Sequence, residues 1–126
     1  MDLVGMLSKD DIILGLAERI QNKYPQNPQG YCAPMCKDLL SALKKYNINA
    51  NIVEGLFVLD EPNAGKFITQ YDDEYEVPHD WINIEGKILD ISTKMFRKSV
   101  HENIPDVVYI GFRSPLYVRY KHYGHN

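Results

Sequence analysis

Apolar residues recur at helical spacing in two stretches of the chain and then change to strand spacing. Ile12, Ile13, Leu16 and Ile20 repeat once per helical turn. Ser8 precedes them as an N-cap, and Lys9-Asp10-Asp11 places acidic groups in the first turn. This predicts a first helix that ends near Tyr24-Pro25, followed by a loop over 25–31 that is rich in Pro, Gln and Asn. A second helix is predicted from Cys32 to Tyr46, with Cys36, Leu39, Leu40 and Leu43 as its apolar stripe and Lys37, Lys44 and Lys45 outside. Pro34 fixes where it starts, because proline is tolerated in the first turn but costs about 3 kcal/mol in a helix interior. Asn47 or Asn49 can end it in the left-handed region.

From Asn49 the period shortens. Residues 49–59 read as a buried strand with Gly55 as a bulge, and 60–77 are polar and irregular apart from Phe67-Ile68-Thr69. Further strands are expected over 79–84, 87–91, 107–112 and 115–121. Two helices followed by strands predict an α+β fold, with N-terminal helices packed on an antiparallel β-sheet.

The hairpin can be read by parity. If Glu85-Gly86 form a two-residue turn, Ile82, Ile84, Leu89 and Ile91 share one face and His79, Trp81, Asn83, Ile88 and Asp90 share the other. In that register Asp90 is the diagonal neighbour of His79, within side-chain reach.

Composition narrows the function classes. A length of 126 residues fits a single domain spanning 1–126, and 44% hydrophobic with 25% charged residues suits a globular protein rather than a disordered one. A net charge of −3 argues against binding nucleic acid or an anionic membrane. The charge is uneven: Asp60, Glu61, Asp72, Asp73, Glu74, Glu76 and Asp80 make an acidic middle, and Arg113, Arg119, Lys121, His122 and His125 a basic tail. These are solvated segments or, alternatively, a preference for cationic substrates. No apolar run reaches the roughly 20 residues of a membrane span, and the first residues do not read as a signal peptide. Two cysteines four positions apart are not a disulfide framework, so free thiols in a reducing cytoplasm are expected.

The chemistry rests on Cys32, His79 and Asp90. A thiol at a helix N-terminus, an imidazole and an orienting carboxylate are the parts of a thiol-based acyl-transfer site. Each also has an ordinary explanation: a structural histidine beside a tryptophan, an aspartate that caps the segment after it, and for Cys36 a small buried hydrophobe. A metal site built on Cys32, Cys36 and His79 is a weaker alternative, because zinc sequences carry tighter pairs and a fourth ligand. Neither a metal nor an organic cofactor is expected.

In this order the residues resemble the transglutaminase-like proteins, within the wider papain-like thiol-enzyme fold. The group's nucleophile segment reads Gly-x-Cys, a small residue one turn later, helix leucines, then Gly-Ile-Pro-Ala-Arg and a valine-rich strand. Gly30-Tyr31-Cys32, Cys36, Leu39-Leu40, Asn47-Ile48-Asn49-Ala50-Asn51 and Ile52-Val53 follow it here. The second segment, His-Ala-Trp, a strand, a turn and Asp-Pro-Thr, is matched by His79-Asp80-Trp81 and Asp90-Ile91-Ser92-Thr93. The likeness covers roughly residues 29–96. It departs where the Gly, Pro and Arg of the post-helix motif are all Asn and where Ile91 replaces the Pro.

The resemblance implies Cys32 as nucleophile, His79 as general base then acid, and Asp90 as orienter of the ring. Gln29 or Gln26 is a candidate side-chain donor to an oxyanion, the alternative being loop glutamines that face water, and Trp81 is expected beside the imidazole. The expected activity is a thiol protease-like hydrolase or an acyltransferase, acting on an amide, peptide or isopeptide bond of a peptide or protein. The alternative is a non-catalytic binding module that retains the scaffold and uses the 60–77 loop for recognition.

Overall fold

The structure is a computed structural model that describes residues 8–25, 31–61, 75–97 and 100–122. Helix α1 spans Lys9–Gln21 and opens with a capping box. Ser8 Oγ accepts from the Asp11 N–H (3.1 Å), and Asp11 accepts from the Ser8 N–H (3.3 Å). Helix α2 spans Cys32–Lys45. Asn47, at φ 58°, ends it as a Schellman motif: the Ile48 N–H donates to the Leu43 carbonyl (3.1 Å) and the Asn47 N–H to that of Lys44 (3.0 Å). Ile48 is buried there, so the cap also anchors the chain to the core as it turns into the sheet.

Strands β1 (Asn51–Val58), β2 (Glu76–Ile84), β3 (Lys87–Asp90), β4 (Val108–Ile110) and β5 (Tyr120–His122) form one sheet in the order β4-β3-β2-β1-β5. All four pairings are antiparallel. The fold is therefore α+β, two helices on a five-stranded antiparallel sheet, among the described residues. None of their helices is long and apolar enough to cross a membrane.

The hairpin register is the one parity predicts. Glu85 (φ 52°) and Gly86 (φ 86°) form the two-residue turn, and Ile84 pairs with Lys87. Ile82, Ile84, Leu89 and Ile91 join Ile13, Leu16, Leu39 and Leu43 in a core between sheet and helices. The opposite face is buried too. Val53, Phe57, Trp81, Ile88 and Tyr120 pack there with Phe96, Val100, Ile104 and Leu116 from the irregular segments after β3. This second core is what removes His79 and Asp90 from water.

Three expectations need correction. Gly55 makes no bulge; it pairs in register with His79 on one side and His122 on the other. It is glycine because a Cβ there would lie 2.3 Å from the Lys121 carbonyl oxygen and 2.4 Å from the Trp81 ring. The strand expected over 115–121 is a 3-10 helix, Pro115–Arg119, followed by short β5. Pro115 lacks a ladder donor and Ser114 Oγ caps the turn through the Leu116 N–H (3.3 Å), so the local chemistry favours a turn over a strand. The first helix stops at Gln21, short of Tyr24, and its Gln21 side chain donates to the Ile91 carbonyl (3.1 Å).

The uneven charge is in part an internal pairing. Arg119 binds Asp60 (2.7 Å) and Lys121 binds Glu76 (2.7 Å), so the basic end of the chain is fastened to the acidic segments around β1 and β2. These contacts seat β5 against β1. Residues 62–74 of the 60–77 segment lie outside the described residues.

Candidate active site

Cys32 is the first residue of α2, one position after the N-cap Tyr31, and it is half-buried. Proline at the third helical position, Pro34, has no N–H. Met35 N–H already donates to the Tyr31 carbonyl (2.9 Å). The first turn thus leaves the N–H groups of Cys32 and Ala33 without an intrahelical acceptor, and the N-cap side chain supplies none. Their dipoles point at the space beside the sulfur. Cys36, one turn on, is 3% exposed. Burial first, then the charge of Asp90, pushes its thiol well above the ordinary range, so it remains a neutral part of the core.

His79 is carried by β2 and is 1% exposed. The described pairing of β2 with β3 stops at Ile82–Leu89, so His79 and Asp90 lie beyond the last paired residues, where side chains rather than backbone join the strands. His79 Nε2 and Asp90 Oδ2 are 2.7 Å apart, with both side chains wholly buried. Burial alone would lower the imidazole pKa. The Asp90 charge and the shared hydrogen bond outweigh it, with the Cys32 sulfur adding to them, and hold it raised to about 10.

The ring's other nitrogen, Nδ1, is buried and has no hydrogen-bond partner of acceptable geometry. Since Nε2 is taken by Asp90, Nδ1 is the nitrogen left to the neighbouring Cys32 thiol, whose hydrogen-bonding contact and charge both raise the imidazole pKa.

Asp90 is 1% exposed and fully engaged. Its Oδ1 accepts from the Ser92 N–H (3.0 Å) and Ser92 Oγ (3.1 Å). Its Oδ2 accepts from His79 and from the Tyr120 hydroxyl (2.7 Å). The ordinary role suggested for this aspartate, capping the segment after it, and the orienting role are therefore both present. Burial alone would raise its pKa; the imidazolium and these donors hold it below the usual carboxylate range.

The structure thus brings Cys32, His79 and Asp90 together. Trp81 is on their side of the sheet, with its ring centroid 6.4 Å from the imidazole, but it is 1% exposed and offers no surface to a substrate. The closest ring to the imidazole among the described aromatic pairs is Phe96, edge-on at 4.8 Å. Gln26 and Gln29 lie outside the described residues. Those residues also contain no group of three or more His, Cys, Asp or Glu side chains placed to hold a metal ion.

Sequence reasoning missed Tyr120, Ser92 and Phe96. Ser92 had a signal, its position two residues after an aspartate, the spacing of a side chain that closes on the backbone ahead of it. Tyr120 and Phe96 had none, because their place depends on where the chain returns after β3.

A cleft of about 440 Å³, lined by Ala33, Lys37, Ile52, Glu54 and Asp80, runs beside the first turn of α2. Glu54 and Asp80 are partners across β1 and β2. Burial, then the Glu54 charge, raises the Asp80 pKa. Comparison with models of known protein families, with curated proteins and with solved structures finds no match for this chain.

Proposed function

We propose that this protein is a transglutaminase-like thiol enzyme with a papain-like core, a hydrolase or acyltransferase acting on an amide, peptide or isopeptide bond. The observation that carries the reading is the buried His79–Asp90 pair, 2.7 Å apart, whose one free ring nitrogen is left to the sulfur at the start of α2. A structural histidine would be expected to satisfy both nitrogens when buried, since an unpaired polar atom in a dry site costs about 1–3 kcal/mol.

The sequence of steps follows from these atoms. The Cys32 sulfur, paired as a thiolate with the protonated His79 ring, attacks the carbonyl carbon to form a carbon–sulfur bond. Negative charge moves onto the carbonyl oxygen, where the free N–H groups at the start of α2 can donate to it. The imidazolium then gives its proton to the leaving nitrogen, the carbon–nitrogen bond breaks and a thioester remains. Water or an amine, losing a proton to His79, attacks the thioester and releases Cys32. Asp90 keeps one ring nitrogen protonated throughout, which directs the other at the sulfur. The cleft adjoining the first turn of α2, lined by Ala33 and Asp80 but by none of Cys32, His79 and Asp90 themselves, offers room for the substrate chain.

Trapping the acyl-enzyme tests this reading. Incubation with a nitrophenyl acetate ester should place one acetyl group on the peptide containing Cys32, with a burst of nitrophenol. Cys32→Ala should lose the burst and keep its melting temperature. Acetylation confined to surface lysines, with Cys32 unmodified, rules the mechanism out.

A further inference from the structure

Asp90 Oδ2 accepts from two groups, the His79 ring and the Tyr120 hydroxyl, each at 2.7 Å. Tyr120 is 7% exposed and comes from the far end of the sheet, on β5, paired across Phe57 of β1. Its neighbours in sequence are the two cations that fasten this segment: Arg119 to Asp60 and the Val58 carbonyl (2.9 Å), and Lys121 to Glu76. The phenol ring is held edge-on between Phe57 (4.9 Å) and Trp81 (5.0 Å). A hydroxyl on a ring this constrained has a fixed direction, and that direction is the carboxylate.

We propose that Tyr120 is a positioning residue of the site, whose hydroxyl shares Asp90 Oδ2 with His79 and so limits how tightly the carboxylate holds the ring's proton. This rests on the thiol-enzyme reading and adds to it the residue that sets the proton balance. A hydrogen bond to a carboxylate stabilises its charge, most of all when no cation faces it. The Tyr120 hydroxyl therefore favours the state in which the ring has given up its proton. Without it, bare Asp90 would hold the imidazolium more strongly and transfer to a leaving amine would be harder. The other titratable groups facing this pair are Cys32 and Cys36 from α2 and Asp80 from β2. None of them hydrogen-bonds the carboxylate among the described residues.

The test is the NMR titration of the His79 ring in the full chain. Tyr120→Phe keeps the packing and removes only the donor; it should raise the His79 pKa by roughly half a unit to one unit. Site-specific 3-fluorotyrosine at 120, a stronger donor of the same shape, should lower it and serves also if the phenylalanine variant does not fold. Leu116→Ala, which loosens the same buried cluster without touching Asp90, should leave it unchanged. A His79 pKa that is the same with Phe or fluorotyrosine at 120, or that moves equally in Leu116→Ala, overturns the proposal and makes Tyr120 a packing residue. Iodoacetamide labelling of unaltered Cys32 separates this from the function itself: an inert thiol ends the enzyme reading, while the titration still reports whether Tyr120 acts on Asp90.

Discussion

Gly55→Ala is the substitution whose effect the geometry fixes most closely. The new Cβ would sit 2.3 Å from the Lys121 carbonyl oxygen, which is backbone, and 2.4 and 2.7 Å from two carbons of the Trp81 ring. Ordinary contact distances are near 3.4–4.0 Å, so β5 or the indole must move by about 1 Å. Trp81 is 1% exposed and packed within the second core, so the cost falls on the β1–β5 pairing. Overpacking of this kind costs about 1–3 kcal/mol, and a clash with backbone belongs at the upper end. Alanine returns some of this, about 0.4–1 kcal/mol, by restricting the unfolded chain. A net loss of about 2 kcal/mol corresponds to a melting temperature lower by roughly 6–10 °C for a domain of this size. Because β5 carries Tyr120, the His79 titration should shift as well. Differential scanning calorimetry together with the ring titration reads both effects. A variant that melts within about 1 °C of the parent would refute the close approach of indole, glycine and β5 on which the second core depends.

The remaining predictions concern the buried pair. Asp90→Asn removes the charge that outweighs burial, so the His79 pKa should fall from about 10 to below its ordinary 6.5, and Cys32 acylation should drop by at least two orders of magnitude; an unchanged titration by NMR would contradict the pairing. The pH dependence of stability has two arms. The His79 contribution, with its pKa raised, is complete below 6.5 and is lost as pH rises toward about 10, whereas the Asp90 contribution, with its pKa lowered, is present above 3.8 and is lost as pH falls below it. Urea midpoints should therefore be highest between about pH 4 and 6.5, and Asp90→Asn should flatten both arms; a profile shared by the two proteins argues that the pair contributes nothing.

Local rules made much of this fold readable. Ser8 with Asp11, Pro34 at the start of α2 and Asn47 at its end mark helix boundaries by chemistry that acts within a few residues. The turn at Glu85-Gly86 fixes a parity that places His79 and Asp90 on one face, and a period of two carries that information without reference to the rest of the chain. What escaped was long-range. Gly55 looks like a bulge from sequence because the ring that needs the space is 26 positions away, at Trp81, and the oxygen beyond it at Lys121. Tyr120 reads as one more alternating aromatic until β5 is known to lie against β1. The second core was unreadable for the same reason: Phe96, Val100, Ile104 and Leu116, which close it, sit in short or irregular segments with no period to detect.

The claim on which all of this depends is that His79, held cationic by Asp90, activates the sulfur of Cys32. The most direct measurement is the rate of iodoacetamide alkylation of Cys32 near pH 6, followed by peptide mapping and compared with free cysteine. Alkylation should be at least tenfold faster than for the free thiol and should lose that excess in His79→Ala, because a cationic ring beside the sulfur favours the anionic nucleophile. Alkylation no faster than free cysteine, or unchanged when the ring is removed, would contradict it.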